Sequence, residues 1–450
     1  MGGAAPRCAT HAAEGARRGA DGGPTFIRPL VDFLHTEAAG GVVLVAATVA
    51  ALVWANSPWD ASYTALWDTR LVVGLGDHSV DLDLRGWVND GLMALFFLVV
   101  GLEIKRELVE GELSDPRQAA LPVVAAAGGM AVPALIYLAF NAGGDGAAGW
   151  GIPMATDIAM AVGVVSLLGR RVAPSLRLFL LALAIVDDIG AVLVIALAYT
   201  RGIDPASLAA AAGIVAAIAA LRAAGVRAHL PYVVAGVALW LALQESGLNA
   251  TLAGVVLGLM APTRPARQPE LIDAAALADV SSLAAARETA TLAREAVSEV
   301  EWLEHSLHPW TGFVVVPLFA LANAGLVISG ETVRDAVASP VAAGVVAGLV
   351  VGKPLGITAF AWLAVRLRLA RLPSGTTWGA LASLSALAGI GFTVSILVAG
   401  LAFDDPARVD VAKLAILAAS LLAALVGSVL VALSDRRARG RPPRRAGVAA

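Results

Sequence analysis

Charge is scarce in this sequence. Asp, Glu, Lys and Arg make up 15% of the 450 residues, where a soluble globular protein carries about 25%. Apolar residues reach 58%, and a single soluble core stops growing beyond about 250–300 residues. A large soluble domain is therefore excluded, and the chain reads as an integral membrane protein. The one cysteine, Cys8, lies in a polar leader, so no intrachain disulfide can form and the redox compartment stays open. A net charge of −3 leaves no basic excess to hold a nucleic acid, and none is expected as a partner. Residues 1–27 lack the apolar stretch of a signal peptide, so no cleaved signal is read. The long apolar runs also lack period-two alternation, which excludes regular transmembrane strands.

What is present is a series of runs suited to bilayer-crossing helices of about 20 residues. Twelve are read, near 37–55, 86–104, 119–140, 150–168, 174–199, 206–221, 230–243, 248–261, 310–328, 341–364, 380–403 and 410–433. Only Lys105, Lys353 and Lys413 are lysines. With both termini inside, twenty-five of the 32 Lys+Arg fall in cytoplasmic segments and five outside, a positive-inside bias. The expected organisation is a disordered leader over 1–29, a membrane domain over 30–434 and a basic cytoplasmic tail over 435–450, near lipid headgroups. Residues 263–305 form a cytoplasmic insert with an amphipathic interfacial helix from about Pro269. Between the first two runs, 69–84 alternates apolar and polar residues around a Gly/Asp/Ser turn, as an external β-hairpin would. Its free edge suits pairing with a second copy, so a homodimer is expected there.

The informative residues are ionisable groups inside apolar runs, since an Asp at a helix centre costs about 2.5–3.5 kcal/mol on insertion scales. Asp157 lies in PMATDIA (153–159), Asp187 and Asp188 in LAIVDDIG (183–190), and Lys353 in GKPLGI (352–357). Neighbours on an α-helix point about 100° apart, so Asp187 and Asp188 cannot both face one small site. The economical arrangement puts one of them in a cavity with Asp157 and the other against Lys353, the only base expected to be buried.

Helix breakers fall in the same region. Pro153 and the Thr156/Asp157 pair interrupt the fourth run, and Gly389 and Gly391 the eleventh. Breaks at membrane depth are tolerated where they line a cavity, and matching breaks in two halves point to an inverted-repeat transporter. The broken runs are the middle members of two triplets, the third to fifth and the tenth to twelfth. A carboxylate in a low-dielectric site takes up a proton nearer neutral pH than one in water, and its oxygens suit a small hard cation. One site that holds protons or a cation, but not both, exchanges them when it faces each side in turn. A cation channel or a sodium-coupled solute symporter would use similar groups.

From about residue 30 to 433, the chain resembles the NhaA family of sodium/proton antiporters. The matching strings are NDGLMALFF (89–97), VGLEIKRE (100–107), PMATDIA, LAIVDDIG, LEHSLHPW (303–310), PLFALANAG (317–325), GKPLGI and GIGFTVSI (389–396). The resemblance implies an all-α polytopic membrane protein of about twelve transmembrane helices. These would carry inverted-topology repeats, two broken, crossing helices and a small extramembrane β-hairpin. It implies that Asp188 is the principal cation- and proton-binding carboxylate, with Asp187 beside it, and that Thr156 and Asp157 lie at the crossing of the broken helices. Asp157 would balance the helix N-termini meeting there; Lys353 would balance the C-termini and pair with Asp187. It further implies electrogenic exchange of internal Na+ or Li+ for external H+, no cofactor, no enzymatic reaction, and a homodimer in the bacterial inner membrane.

The family's pH response involves a cytoplasmic mouth, to which Glu103, Lys105, Arg106, Glu107 and Glu304 correspond. Here the sequence departs. Asn249 stands where members often carry His, and Glu301 and Trp302 stand in place of a basic pair. Of another class entirely, an intramembrane aspartyl protease finds faint echoes in GLGD (74–77) and Pro133-Ala-Leu. Its Asp77 lies in a polar loop with no carboxylate at its depth to share a proton. His11, His35, His78, His229, His305 and His308 lie outside the deep runs or at their edges, so no zinc site is expected. The proline after His308 suggests a helix start instead.

Overall fold

The computed structural model describes residues 27–439 except 76–77, 201, 227, 265–293 and 295. The leader before Ile27, Asp77 and the interfacial helix expected from Pro269 lie outside the described residues. What is described is mostly helical, in the order α1 (Ile27–Ala55), α2 (Asp60–Trp67), β1 (Arg70–Leu75) and β2 (His78–Asp83). The chain continues as α3, from Leu84–Gly86 through a π-turn at Trp87–Leu92 into Met93–Val109, and then α4 (Pro116–Asn141). A 3₁₀ helix, Asp145–Met154, leads to α5 (Ile158–Leu168), α6 (Pro174–Ala198), α7 (Pro205–Ala223), α8 (His229–Glu245) and α9 (Leu252–Met260). Next, α10 runs from Glu299–Trp310 through a π-turn at Thr311–Val315 into Val316–Asn323, followed by α11 (Gly330–Ala338). The last elements are α12 (Pro340–Ala347, a π-turn at Gly348–Gly352, Lys353–Arg366), α13 (Trp378–Leu387), α14 (Phe392–Ala402) and α15 (Pro406–Arg439).

Among the described residues, five helices are long and apolar enough to cross a membrane: α4, α6, α7, α12 and α15. Three bent pairs would each supply one more span: α1 with α2, the 3₁₀ helix with α5 at 42°, and α13 with α14 at 53°. The chain is thus a multi-pass helical membrane protein. Strands β1 and β2 pair antiparallel, Arg70 opposite Asp83 and Leu75 opposite His78.

Three boundaries differ from the sequence reading. Helix α1 already includes 27–29 of the supposed leader, and α15 runs to Arg439, five residues into the supposed tail. Basic residues such as Arg436 suit the negative end of a helix, so the tail prolongs it. Helix α10 starts at Glu299, inside the segment assigned to the insert, because Ser298 caps it by accepting from the Glu301 N–H at 3.2 Å. His308 and Pro309 consequently lie inside α10, not at a helix start. The π-turn that follows accommodates the proline, which has no N–H to donate to the preceding turn. Trp302 is built into this entrance: the Arg294 guanidinium lies 4.2 Å over its ring while Glu299 accepts from Arg294 at 2.6 Å and contacts His229 at 2.8 Å. Glu301 is exposed.

Small residues set the helix spacing. A Cβ on Gly356 of α12 would lie 2.1 Å from the Gly128 carbonyl of α4, and one on Gly128 would lie 2.5 Å from the Gly356 carbonyl. In lipid, such pairs let backbones approach closely where no hydrophobic force draws helices together. The adjacent Gly129 makes room for Ile357 of α12, whose Cγ1 would lie 2.7 Å from a Cβ there. Helix α9 meets α3 likewise through Gly254 and Gly258. Asn249 opens α9 as an Asx turn, its side-chain oxygen accepting from the Thr251 N–H at 2.9 Å.

Candidate ion site at two broken helices

The chain leaves helical geometry at Ala155, Thr156 and Asp157, and again from Ala388 to Gly391. Each break exposes helix ends whose N–H or C=O groups have no partner within the helix. The two breaks lie against each other and satisfy one another. The Asp157 N–H donates to the Ile390 carbonyl at 2.7 Å. The Asp157 carboxylate caps α5, accepting from the Met160 N–H at 2.9 Å, and also accepts from the N–H and hydroxyl of Thr393 at the start of α14, at 3.0 and 2.7 Å. One negative side chain thus serves two positive helix ends. Gly389 and Gly391 allow the approach, since a Cβ on Gly389 would lie 2.4 Å from the Leu349 carbonyl and one on Gly391 3.2 Å from that of Ala155. Replacing Gly389 by Ala drives a methyl into backbone, an overpacking cost of about 1–3 kcal/mol or more. A lower melting temperature of the purified protein is the expected readout.

Helix α6 carries Asp187 and Asp188 past this crossing, and their divergent directions give them different neighbours. Asp187 is fully buried and pairs through Oδ2 with the Lys353 ammonium, itself fully buried. The same oxygen accepts from the Thr156 hydroxyl at 2.6 Å, which also reaches the Ala388 carbonyl at 2.9 Å. Asp188 instead lines a cavity of about 680 Å³ together with Thr156, Asp157 and Thr393. The cavity runs along α3 and α10, past Glu103, Arg106, Glu107 and His308, to the 110–118 turn, where Glu110, Ser114 and Gln118 line it. Glu103 lies within electrostatic reach of Asp188. Arg106 bridges to the buried Glu304 on α10 and approaches Glu107 at 3.9 Å, and Glu107 accepts from the Glu112 N–H at 3.0 Å.

Of the residues expected at the mouth, Glu103, Arg106 and Glu107 line the cavity. Lys105 and Glu304 do not line it. Lys353 is not the only buried base: Lys413 on α15 is 6% exposed, with Asp410 and Arg85 within electrostatic reach. Sequence reading passed over Thr393 and Ser395, whose signal is the need of every helix end for a partner. No group of three or more His, Cys, Asp or Glu suited to a resident metal occurs among the described residues.

Buried carboxylates at facing helix breaks, reached by one cavity, define a class: the helical membrane transporters built on discontinuous helices. The chain belongs to the Na+/H+ antiporter 1 family, whose sequence profile matches residues 31–431. That family comprises transporters, not enzymes. A Rhodopirellula baltica protein named Na(+)/H(+) antiporter NhaA is 50% identical over 418 residues, covering 90% of this chain and 94% of the relative. Its namesake in Oleidesulfovibrio alaskensis is 46% identical over 438 residues, covering 94% and 96%. Na(+)/H(+) antiporter NhaA 2 of Sorangium cellulosum is 48% identical over 415 residues, covering 89% of each.

Proposed function

We propose that this protein is a secondary active transporter exchanging internal Na+ or Li+ for external H+, and so serving sodium and pH homeostasis. The observation that carries the reading is the division of labour between adjacent aspartates: Asp188 on the cavity, Asp187 bound to Lys353 behind it. Asp188 is the carboxylate that takes either the cation or a proton, with Asp157 and Thr156 close enough to the same space to share a cation's coordination. Oxygen ligands of this kind suit a hard, weakly polarisable ion. Asp187 with Lys353 supplies a second buried charge pair, whose rearrangement would couple further proton movement to each cation and make the exchange electrogenic. The half-open cavity is one state of an alternating-access cycle, with the two triplets flanking the crossing as the repeats that rock.

The reading extends to a multi-pass protein of about twelve spans in a bacterial inner membrane, with both termini cytoplasmic and the cavity mouth on that side. The partners are the bilayer and a second copy of the chain, joined through 69–84. Glu103, Lys105, Arg106, Glu107 and Glu304 would form the pH-responsive mouth, with no contribution of that kind from Asn249. Everted vesicles from an antiporter-deficient host test the exchange. Sodium or lithium is expected to dissipate a preformed proton gradient. Cation flux without proton movement would favour a channel, and a requirement for an organic co-substrate a symporter.

A further inference from the structure

At the crossing, each half-helix C-terminus has one carbonyl that accepts from a hydroxyl of the other broken helix. The Thr156 hydroxyl, from the first break, shares its one proton between the Asp187 carboxylate and, at 2.9 Å, the carbonyl of Ala388, the residue that ends α13. The Ser395 hydroxyl, from α14 beyond the second break, donates at 2.7 Å to the carbonyl of Ile152 in the last turn of the 3₁₀ helix. Ser395 is fully buried and is not among the cavity-lining residues, so it does not touch the site. Its place is made by Gly391, where a Cβ would lie 2.3 Å from the Ser395 oxygen. The Lys353 ammonium, meanwhile, is committed to Asp187.

We propose that Ser395 is a positioning residue for transport. With Thr156 it forms a reciprocal lock, in which each broken helix satisfies a C-terminal carbonyl of the other and the crossing is held in register. The inference rests on the ion-exchange reading of the site. Ile152 lies four residues before Thr156 and five before Asp157, on the strand of chain that carries both into the cavity. Pinning its carbonyl to α14 fixes that strand against the helix whose N-terminus Asp157 caps. Without the pin the segment must be reordered each time a cation binds, and the cost falls on binding.

The test measures the sodium concentration for half-maximal proton exchange in proteoliposomes of wild type, Ser395→Ala, Ser395→Cys and Ser395→Thr. Loss of one buried hydrogen bond corresponds to a rise of about five- to tenfold in half-saturating sodium. Ser395→Ala is expected to show that rise with the maximal rate at saturating sodium kept, and Ser395→Thr to return to wild type. Ser395→Cys, a weak donor of similar size, is expected to fall between them and carries the test if the alanine variant does not fold. Unchanged half-saturation in Ser395→Ala or Ser395→Cys, or failure of threonine to rescue, would overturn the lock. A wild type that exchanges nothing would instead overturn the antiport reading. The lock is then judged by the sodium concentration at which melting temperature rises, where the same order among variants is required.

Discussion

Replacing Asp188 by Asn is expected to abolish sodium-dependent proton movement while leaving a folded protein. Asn keeps the shape of the side chain but removes its charge and its proton. Two unit charges about 4 Å apart attract by about 4 kcal/mol at an effective dielectric constant of 20. With about 1.4 kcal/mol per factor of ten, losing that attraction weakens cation binding by about a thousandfold. The amide cannot carry the returning proton either, so raising the sodium concentration does not restore exchange. Asp188 lines the cavity and takes no part in the Lys353 pair, so the melting temperature should stay near that of the wild type. The check is proton flux against sodium concentration, with melting measured on the same preparation. Exchange at more than a tenth of the wild-type rate would remove Asp188 from its central role.

Much of this site was legible because membrane interiors make charge conspicuous. Asp157, Asp187, Asp188 and Lys353 stand out deep in runs whose only other ionisable groups, Arg177 and Tyr199, lie near run ends, and Pro153, Gly389 and Gly391 mark where helices cannot continue. The 100° step along a helix separates Asp187 from Asp188, yet nothing in two adjacent identical residues says which one meets Lys353. The structure puts Asp187 there, its Oδ2 against the Lys353 ammonium. Proximity of the two breaks is a tertiary fact: the hydrogen bonds that join them span more than 230 residues.

What escaped had different physical causes. Lys413 was hidden by its position: seven residues into α15, a lysine that reaches the interface and one that is enclosed read alike. Thr393 and Ser395 were hidden by their chemistry. A hydroxyl near a helix start serves as a local cap so often that its sequence does not advertise a partner on another helix.

Removing either member of the Asp187–Lys353 pair should destabilise the protein far more than removing both. Each is fully buried, and Asp187 Oδ1 accepts no hydrogen bond among the described residues. In Lys353→Met the Asp187 carboxylate would keep only the Thr156 hydroxyl as a donor. In Asp187→Asn the ammonium would face an amide oxygen instead of a carboxylate. Leaving one buried charge without its partner costs about 3–5 kcal/mol, whereas replacing a whole buried pair by neutral groups of similar volume is often close to neutral. The combined Asp187→Asn, Lys353→Met variant is therefore expected to melt near the wild type, with both single variants well below it. The quantity to read is the double-mutant coupling from denaturation in detergent, expected to be several kcal/mol and far from additive. A double variant as unstable as the sum of its parents would mean that the two groups are held by their separate surroundings, and their rearrangement could not couple protons to the cation.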